Sequence, residues 1–161
     1  MPVLDVRKDL ATLTLTVVGE FAVPIERLGT AWTDPRQIER FWGPPQWPAT
    51  FERHDAAVGG KSAYYMTGPK GETPRGFWEW VSVNPPAGFE VIDGFAHADG
   101  TPNLAMGTTR MRMAFTAEGT GTKMVAVSTF PSLEVMETHL KMGLEEGLRA
   151  ALGQLDGVLA S

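Results

Sequence analysis

A leucine-rich stripe near the C-terminal end of the chain constrains the fold more than any other feature of the sequence. Apolar residues recur there at spacings of three and four, the period of one face of an α-helix. The stripe consists of Leu133, Met136, Leu140, Leu144, Leu148, Ala151, Leu152, Leu155 and Leu159. Ser132 is a suitable N-cap, so the pattern predicts one helix of about 25 residues, ~38 Å long. A face this apolar must be covered by another element.

The segments before the stripe predict strands that could provide this cover. Runs with strand-like composition or period-2 alternation are separated by short turns rich in glycine and proline, which is typical of an antiparallel meander. These runs are residues 11–21, 50–54, 61–67, 75–84, 89–95, 108–117 and 122–130. Pro24 and Pro35 open two short predicted helices, residues 24–32 and 35–41, after the first strand. The order predicts an α+β domain in which a curved, seven-stranded antiparallel sheet packs against the long C-terminal helix.

Length and composition indicate one globular domain, residues 1–161. The chain has 161 residues, of which 43% are hydrophobic and 20% charged, and no linker or repeat interrupts it. Cysteine is absent, which excludes disulfides and thiolate metal sites and agrees with a reducing, cytoplasmic location. Residues 1–10 carry several charges and no apolar run, so we expect neither a signal peptide nor a membrane anchor there.

The charge and hydropathy patterns argue against two classes of partner. No stretch approaches the ~18 consecutive apolar residues of a membrane span, so no membrane partner is expected. The formal net charge is −5 and the lysines and arginines are scattered, so a nucleic-acid partner is not expected either.

Four short motifs resemble a known family. They are Phe41-Trp42-Gly43-Pro44-Pro45-Gln46-Trp47-Pro48, Val58-Gly59-Gly60, Val83-Asn84-Pro85-Pro86 and Met142-Gly143-Leu144-Glu145-Glu146-Gly147. In this order and spacing, the sequence from residue 17 to residue 159 is similar to the family named for activators of the heat-shock-protein ATPase (AHSA-type). That family belongs to the START-like, or SRPBCC, superfamily, which includes polyketide cyclases and birch-pollen-allergen-like proteins.

The resemblance implies a helix-grip fold with a cavity between the sheet and the long helix. Relatives use this cavity for lipids, polyketides or aromatic compounds, and some relatives are enzymes. The eukaryotic namesakes stimulate a chaperone ATPase. Fold alone does not choose among these activities.

Aromatic residues, methionines and a helical histidine are the candidates for lining such a cavity. They are Trp42, Trp47, Trp78, Trp80, Phe95, Met111, Met113, Met136, His139, Met142 and Gly143. Large aromatics and methionines equally serve as plain core residues, so both interpretations stay open for them.

The strand that carries Trp78 and Trp80 leaves its orientation open. The two tryptophans share one face, yet Phe77 and Val81 on the other face are also apolar. If the tryptophans faced outward, they would form an aromatic patch suited to a homodimer or another protein partner.

The sequence contains no assembled catalytic set. None of the three histidines has a second ligand at metal-binding spacing, so we predict no metal and no cofactor. His139 could orient a ligand or act as a base. Glu79 and Asp93 belong either to the solvated sheet face or to the cavity, where burial would raise their pKa values.

These observations favour binding of a small hydrophobic or aromatic molecule in the cavity. The first alternative is an enzyme similar to polyketide cyclases and dehydratases, with proton transfer by His139 or an acid. The second is a protein-interaction domain like the chaperone-ATPase activators. The separate N-terminal domain of the eukaryotic activators is not expected in this sequence, which argues against that second alternative.

Overall fold

The computed structural model describes residues 3–160, so both ends of the predicted 1–161 domain lie outside the described residues. The predicted α+β architecture is confirmed: a curved antiparallel sheet packs against a C-terminal helical layer. The strands are β1 (Val3–Asp9), β2 (Thr14–Phe21), β3 (Ala49–His54), β4 (Lys61–Met66), β5 (Arg75–Asn84), β6 (Gly88–Ala96), β7 (Thr108–Glu118) and β8 (Gly121–Thr129). The α-helices are α1 (Ile25–Thr33), α2 (Pro35–Ile38), α3 (Leu133–Lys141), α4 (Leu144–Leu152) and α5 (Leu155–Leu159).

The sheet has eight strands within the described residues, one more than the seven predicted. Its order is β1-β2-β8-β7-β6-β5-β4-β3, and every neighbouring pair is antiparallel. The added strand, β1, alternates charged residues with Leu4 and Val6, which pack against the core from the sheet edge. The following strand begins at Thr14 rather than residue 11, because Leu13 adopts a left-handed backbone with φ 58° in the intervening turn.

The two short helices after β2 lie where proline predicted them. Asp34 caps α2 by accepting a hydrogen bond from the backbone N–H of Arg36, and Pro35 occupies the first turn. The Arg27 guanidinium on α1 donates to the carbonyl of Val158 at 2.8 Å, which ties α1 to α5.

The predicted C-terminal helix is present, but it is divided into three segments rather than continuous. Ser132 caps α3 as expected, with its hydroxyl accepting from the N–H of Val135 at 3.1 Å. The helix then breaks at Gly143, whose φ of 91° is left-handed, and again at Gly153 before α5. Left-handed backbone is open to glycine at little cost, and it turns the chain out of the α3 axis. Within residues 3–160 no helix has the length and apolarity needed to cross a membrane.

The inner face of the sheet carries an aromatic core, which decides the orientation of β5. Trp78 and Trp80 point inward and are almost fully buried, while Glu79 is exposed on the outer face. Trp78 and Trp80 therefore do not form the outward-facing aromatic patch that would suit a homodimer, and homodimer formation itself stays a prediction. Phe77 is nevertheless buried on the outer face, where its ring lies across Gly94 and would be 2.6 Å from a Cβ at that position.

The core beneath α1 and α5 is filled by large rings. Trp32 packs edge-on against Phe41 at 4.9 Å between ring centroids, and Trp80 contacts Phe89 at 4.9 Å. Rings of this size each stabilise the fold by about 2–3 kcal/mol through burial.

Candidate functional site

A cavity of about 290 Å³ lies between the inner face of the sheet and α3–α4. Its apolar lining comes from strands, helices and the loop before β3. The larger apolar residues are Trp42, Pro44, Met66, Pro74, Phe95, Met111, Met142, Leu144, Leu148 and Ala151. The polar lining residues are Tyr64, Arg75, Asp93, Thr109, Ser128 and His139. Such a mixture of an apolar wall with a few polar groups is characteristic of small-molecule sites.

The structure brings six of the eleven sequence-predicted residues together at this cavity. They are Trp42, Phe95, Met111, His139, Met142 and Gly143. The other five do not line it. Trp78, Trp80, Met113 and Met136 are buried in the core, and Trp47 packs against Gly68 outside the cavity.

The loop that carries Trp42 is held against the helical layer by backbone contacts. A side chain at Gly43 would lie 2.0 Å from the carbonyl oxygen of Trp47, so only glycine permits this turn. The Gln154 side-chain amide donates to the carbonyl of Gly43 at 2.7 Å. These contacts fix Trp42 as one wall of the cavity.

Two glycines leave the helical side of the cavity without side chains at their positions. Gly143 forms the left-handed break between α3 and α4, and Gly147 lies in α4, facing the cavity. A Cβ at Gly147 would meet no atom within 4 Å. A glycine within a helix costs about 1 kcal/mol of stability relative to alanine. Close packing does not explain Gly147, because no atom lies near its Cβ position. The glycine instead leaves open space beneath α4.

Asp93 places a carboxyl group in this apolar cavity. It alternates along β6 with Val91 and Phe95, and its register neighbours are Trp78 on β5 and Thr109 on β7. Burial raises the pKa of Asp93 from 3.8 to about 7, against the opposing effect of hydrogen-bonding groups on Trp78 and Tyr64. The group is therefore close to half-ionised at neutral pH.

Tyr64 reaches Asp93 by lying across a glycine. Tyr64 is opposite Gly76 on β5, and a Cβ at Gly76 would be 2.4 Å from the Oη and Cζ atoms of Tyr64. The absence of a side chain there lets the phenol cross β5 toward β6. Burial, and then the nearby Asp93 carboxyl, raise the pKa of Tyr64 well above its usual value, so the phenol stays protonated.

Two indole N–H groups beside this pair lack a hydrogen-bond acceptor. The Nε1 atoms of Trp42 and Trp78 are buried and reach hydrogen-bond geometry with no described group. Their rings meet edge-on at 5.0 Å between centroids. Trp78 nevertheless lies close enough to Asp93 to lower its pKa, against the larger effect of burial. Unsatisfied buried donors are costly, and they favour negative charge or an acceptor at this end of the cavity.

His139 is buried, His54 is half-buried, and both have structural partners. The Nε2–H group of His139 donates a hydrogen bond to the carbonyl of Met106 at 3.0 Å, and Phe95 packs edge-on against the His139 ring at 5.4 Å. His54, at the opposite end of the core, bridges Ser62 and the carbonyl of Trp32 at 2.7 and 2.8 Å. In residues 3–160 no group of three or more His, Cys, Asp or Glu is arranged to hold a metal ion.

A second, larger concavity of about 570 Å³ lies on the outer face of β3–β5, beneath residues 96–102. Charged side chains surround it, including Glu52, Lys61 and Glu79. Because it offers little enclosed apolar surface, the cavity beneath α3–α4 is the better candidate site.

Sequence reasoning left out several cavity residues. Asp93 was considered but left open, and its alternation with Val91 and Phe95 was the signal that could have decided it. Tyr64, Thr109 and Ser128 were missed, because nothing in their own strands distinguishes a cavity-facing hydroxyl from a solvated one.

Comparison with known proteins identifies the family of this chain. A family described as Activator of Hsp90 ATPase homolog 1-like protein matches residues 22–160. The solution structure of a protein from Arthrobacter aurescens is 45% identical, with a TM-score of 0.93 over 97% of this chain and 91% of that chain. A crystal structure of a protein from Mycobacterium smegmatis is 42% identical, with a TM-score of 0.90 over 99% of this chain and 97% of that one.

More distant structures share the fold. A protein from Staphylococcus epidermidis is 24% identical with a TM-score of 0.84, over 96% of this chain and 93% of that one. No curated protein shows detectable similarity to this sequence. The matched range and the two relatives above 40% identity establish that the chain belongs to the Activator of Hsp90 ATPase homolog 1-like family, within the superfamily that its motifs resemble.

Proposed function

We propose that the protein binds one small hydrophobic molecule in the cavity between the sheet and the C-terminal helices. The observation that carries the proposal is an apolar cavity of about 290 Å³ beneath a helical layer that is thinned by glycine. A cavity of this size would accept a molecule of one or two rings.

Burial of apolar ligand surface supplies the affinity. A ligand that buries about 200 Å² of apolar surface gains about 5 kcal/mol at 25 cal/mol per Å². The cost of association reduces this gain, so micromolar affinity requires polar contacts as well. Asp93, Thr109 and Ser128 can supply such contacts and orient the ligand.

The flexible residues of the lining indicate that the ligand enters the cavity at the break between α3 and α4. Met142 is 55% exposed at that break and also lines the cavity. The left-handed Gly143 next to it lets the two helices diverge there. Thioether side chains adapt to ligands of differing shape.

The test uses a substitution in α4 that fills part of the cavity. Gly147→Leu places a side chain in the open space beneath α4, whereas Gly157→Leu makes the same change at an exposed position of α5, away from the cavity. The neutral fluorescent probe N-phenyl-1-naphthylamine is titrated into each protein. We expect Gly147→Leu to weaken binding at least tenfold and Gly157→Leu to leave it within twofold. Near-ultraviolet circular dichroism verifies that both variants are folded.

Two results would contradict the proposal. One is the absence of probe binding to the unmodified protein together with no thermal shift from neutral aromatic compounds. The other is equal probe affinity for Gly147→Leu and the unmodified protein, which would place binding outside the cavity.

Acid–base catalysis in the same cavity is a second candidate, favoured by one observation. The pKa of Asp93 is about 7, where a carboxyl group both donates and accepts a proton at neutral pH. Deuterium exchange at the α-carbons of 4-phenylbutan-2-one, followed by NMR, measures this activity. If the protein is a catalyst, it should exchange these protons faster than buffer alone, and Asp93→Asn should abolish the difference.

A further inference from the structure

The carboxyl group of Asp93 has no cationic partner within the described part of the chain. The ion pairs among residues 3–160 do not include it. A buried carboxylate is normally paired with a cation, because the cost of removing it from water is otherwise uncompensated. When Asp93 is ionised, its negative charge in the cavity is therefore not balanced by a cation.

The other ionisable groups that line the cavity form no ion pair with Asp93 in the described part of the chain. The Arg75 guanidinium is bound to Glu52 at 2.5 Å and lies over the Tyr65 ring at 5.0 Å. His139 is held by the carbonyl of Met106 at 3.0 Å. Tyr64, the remaining titratable neighbour, stays neutral because its pKa is raised.

The walls around Asp93 are suited to a cation. The rings of Trp42, Tyr64 and Phe95 all line the same cavity as the carboxyl group. Aromatic faces attract ammonium groups, with energies that grow when water is excluded. The position of the Tyr64 ring depends on the glycine at residue 76, because a Cβ atom there would displace the ring.

We propose that the ligand of this cavity is a hydrophobic amine, whose ammonium group pairs with Asp93 while its apolar body packs against Met66, Met111 and Leu148. This inference rests on the proposed binding function and names the chemical class of its ligand. The ammonium ion supplies the missing charge, whereas a carboxylate ligand would add a second negative charge beside Asp93. A neutral ligand would bind to the protonated carboxyl and leave the ionised form uncompensated.

The pH dependence of affinity distinguishes these ligand classes. An amine binds the ionised form of Asp93, so its affinity rises with pH through the pKa of about 7. A neutral acceptor binds the protonated form, so its affinity falls over the same range. Between pH 6 and pH 8 the ionised fraction changes about tenfold, and amine affinity is expected to increase about tenfold.

The experiment uses three molecules that share one skeleton: 4-phenylbutylamine, 4-phenylbutan-1-ol and 4-phenylbutanoate. Isothermal titration calorimetry with the full chain at pH 6 and pH 8 gives each affinity. At pH 8 we expect the amine to bind at least tenfold more tightly than the alcohol and the acid to bind most weakly. Asp93→Asn should reduce the ratio of amine to alcohol affinity to about one. Glu79→Gln, which removes an exposed carboxylate from the outer face, should preserve that ratio.

The outcomes separate this inference from the proposed function. If the alcohol binds as tightly as the amine, and Gly147→Leu abolishes its binding, the amine assignment is wrong but the binding cavity stands. If the amine preference is present but survives Asp93→Asn, the assignment is also wrong. If none of the three molecules binds, both proposals fail.

Discussion

Replacement of Asp93 by asparagine tests whether burial governs this carboxyl group. The substitution removes the charge, keeps the shape and retains an acceptor oxygen. The pKa of Asp93 is raised from 3.8 to about 7, so the folded state holds a proton that the unfolded state releases. The stability that Asp93 contributes is present below pH 3.8 and is lost as the pH rises through about 7.

The magnitude follows from the same two pKa values. Each tenfold difference in proton affinity is worth about 1.36 kcal/mol, so the full loss from low to high pH is about 4 kcal/mol. About three-fifths of that loss occurs above pH 5, which leaves about 2–3 kcal/mol between pH 5 and pH 8. Asparagine does not titrate. Relative to the unmodified protein, Asp93→Asn should therefore gain about 2–3 kcal/mol of stability over this interval.

Urea unfolding at pH 5 and pH 8, followed by tryptophan fluorescence, measures the change. The control is Glu79→Gln, an exposed carboxylate on the neighbouring strand, for which no pH-dependent difference from the unmodified protein is expected. The reasoning is refuted if the stability difference between Asp93→Asn and the unmodified protein is the same at both pH values, within about 0.5 kcal/mol. Asp93 would then titrate like a solvated group.

Three further predictions concern buried polar contacts and backbone conformation. Ser62 accepts a hydrogen bond from Nε1 of Trp80 at 2.9 Å and contacts Nδ1 of His54. Ser62→Ala should therefore cost about 2–3 kcal/mol in urea unfolding, and a loss below about 0.5 kcal/mol would show that these groups find other partners. Burial lowers the pKa of His54 from 6.5, so stability should decline as the pH falls below 6.5, and His54→Gln should flatten this acid dependence in thermal unfolding. Equal slopes for the two proteins would contradict that attribution. Gly143→Ala should destabilise the fold by about 1–2 kcal/mol because φ is 91°, whereas Gly147→Ala in open space should stabilise it by up to about 1 kcal/mol. Thermal unfolding of the pair measures both effects, and equal effects would show that backbone conformation does not distinguish the two positions.

The helical breaks mark one limit of sequence reasoning. The stripe from Leu133 to Leu159 predicted a single helix, because its period persists through Gly143 and Gly153. A glycine within a periodic pattern is compatible with a continuous helix and with a left-handed break. The choice between them depends on how the helical layer packs over the sheet. The periodicity of the local sequence carries no information about that packing.

The strand β1 marks a second limit. Its charged residues alternate with Leu4 and Val6, so the segment lacks the apolar content of the central strands. Only its pairing with β2 at the sheet edge makes it a strand. Edge strands are stabilised by one neighbour and by partial burial, and therefore carry the weakest local signal.

The sequence by itself determined the order of most strands and helices, the cap at Ser132, and the family motifs around Trp42. These properties depend on residues that are close together along the chain. The tertiary structure decided which indoles fill the core, where space remains beneath α4, and that Asp93 faces that space. Whether a volume is filled, and what a carboxyl group's pKa becomes, depends on side chains brought together from distant strands, such as Tyr64 crossing Gly76 toward Asp93. Such contacts have no period along the chain, so only the folded arrangement of the strands reveals them.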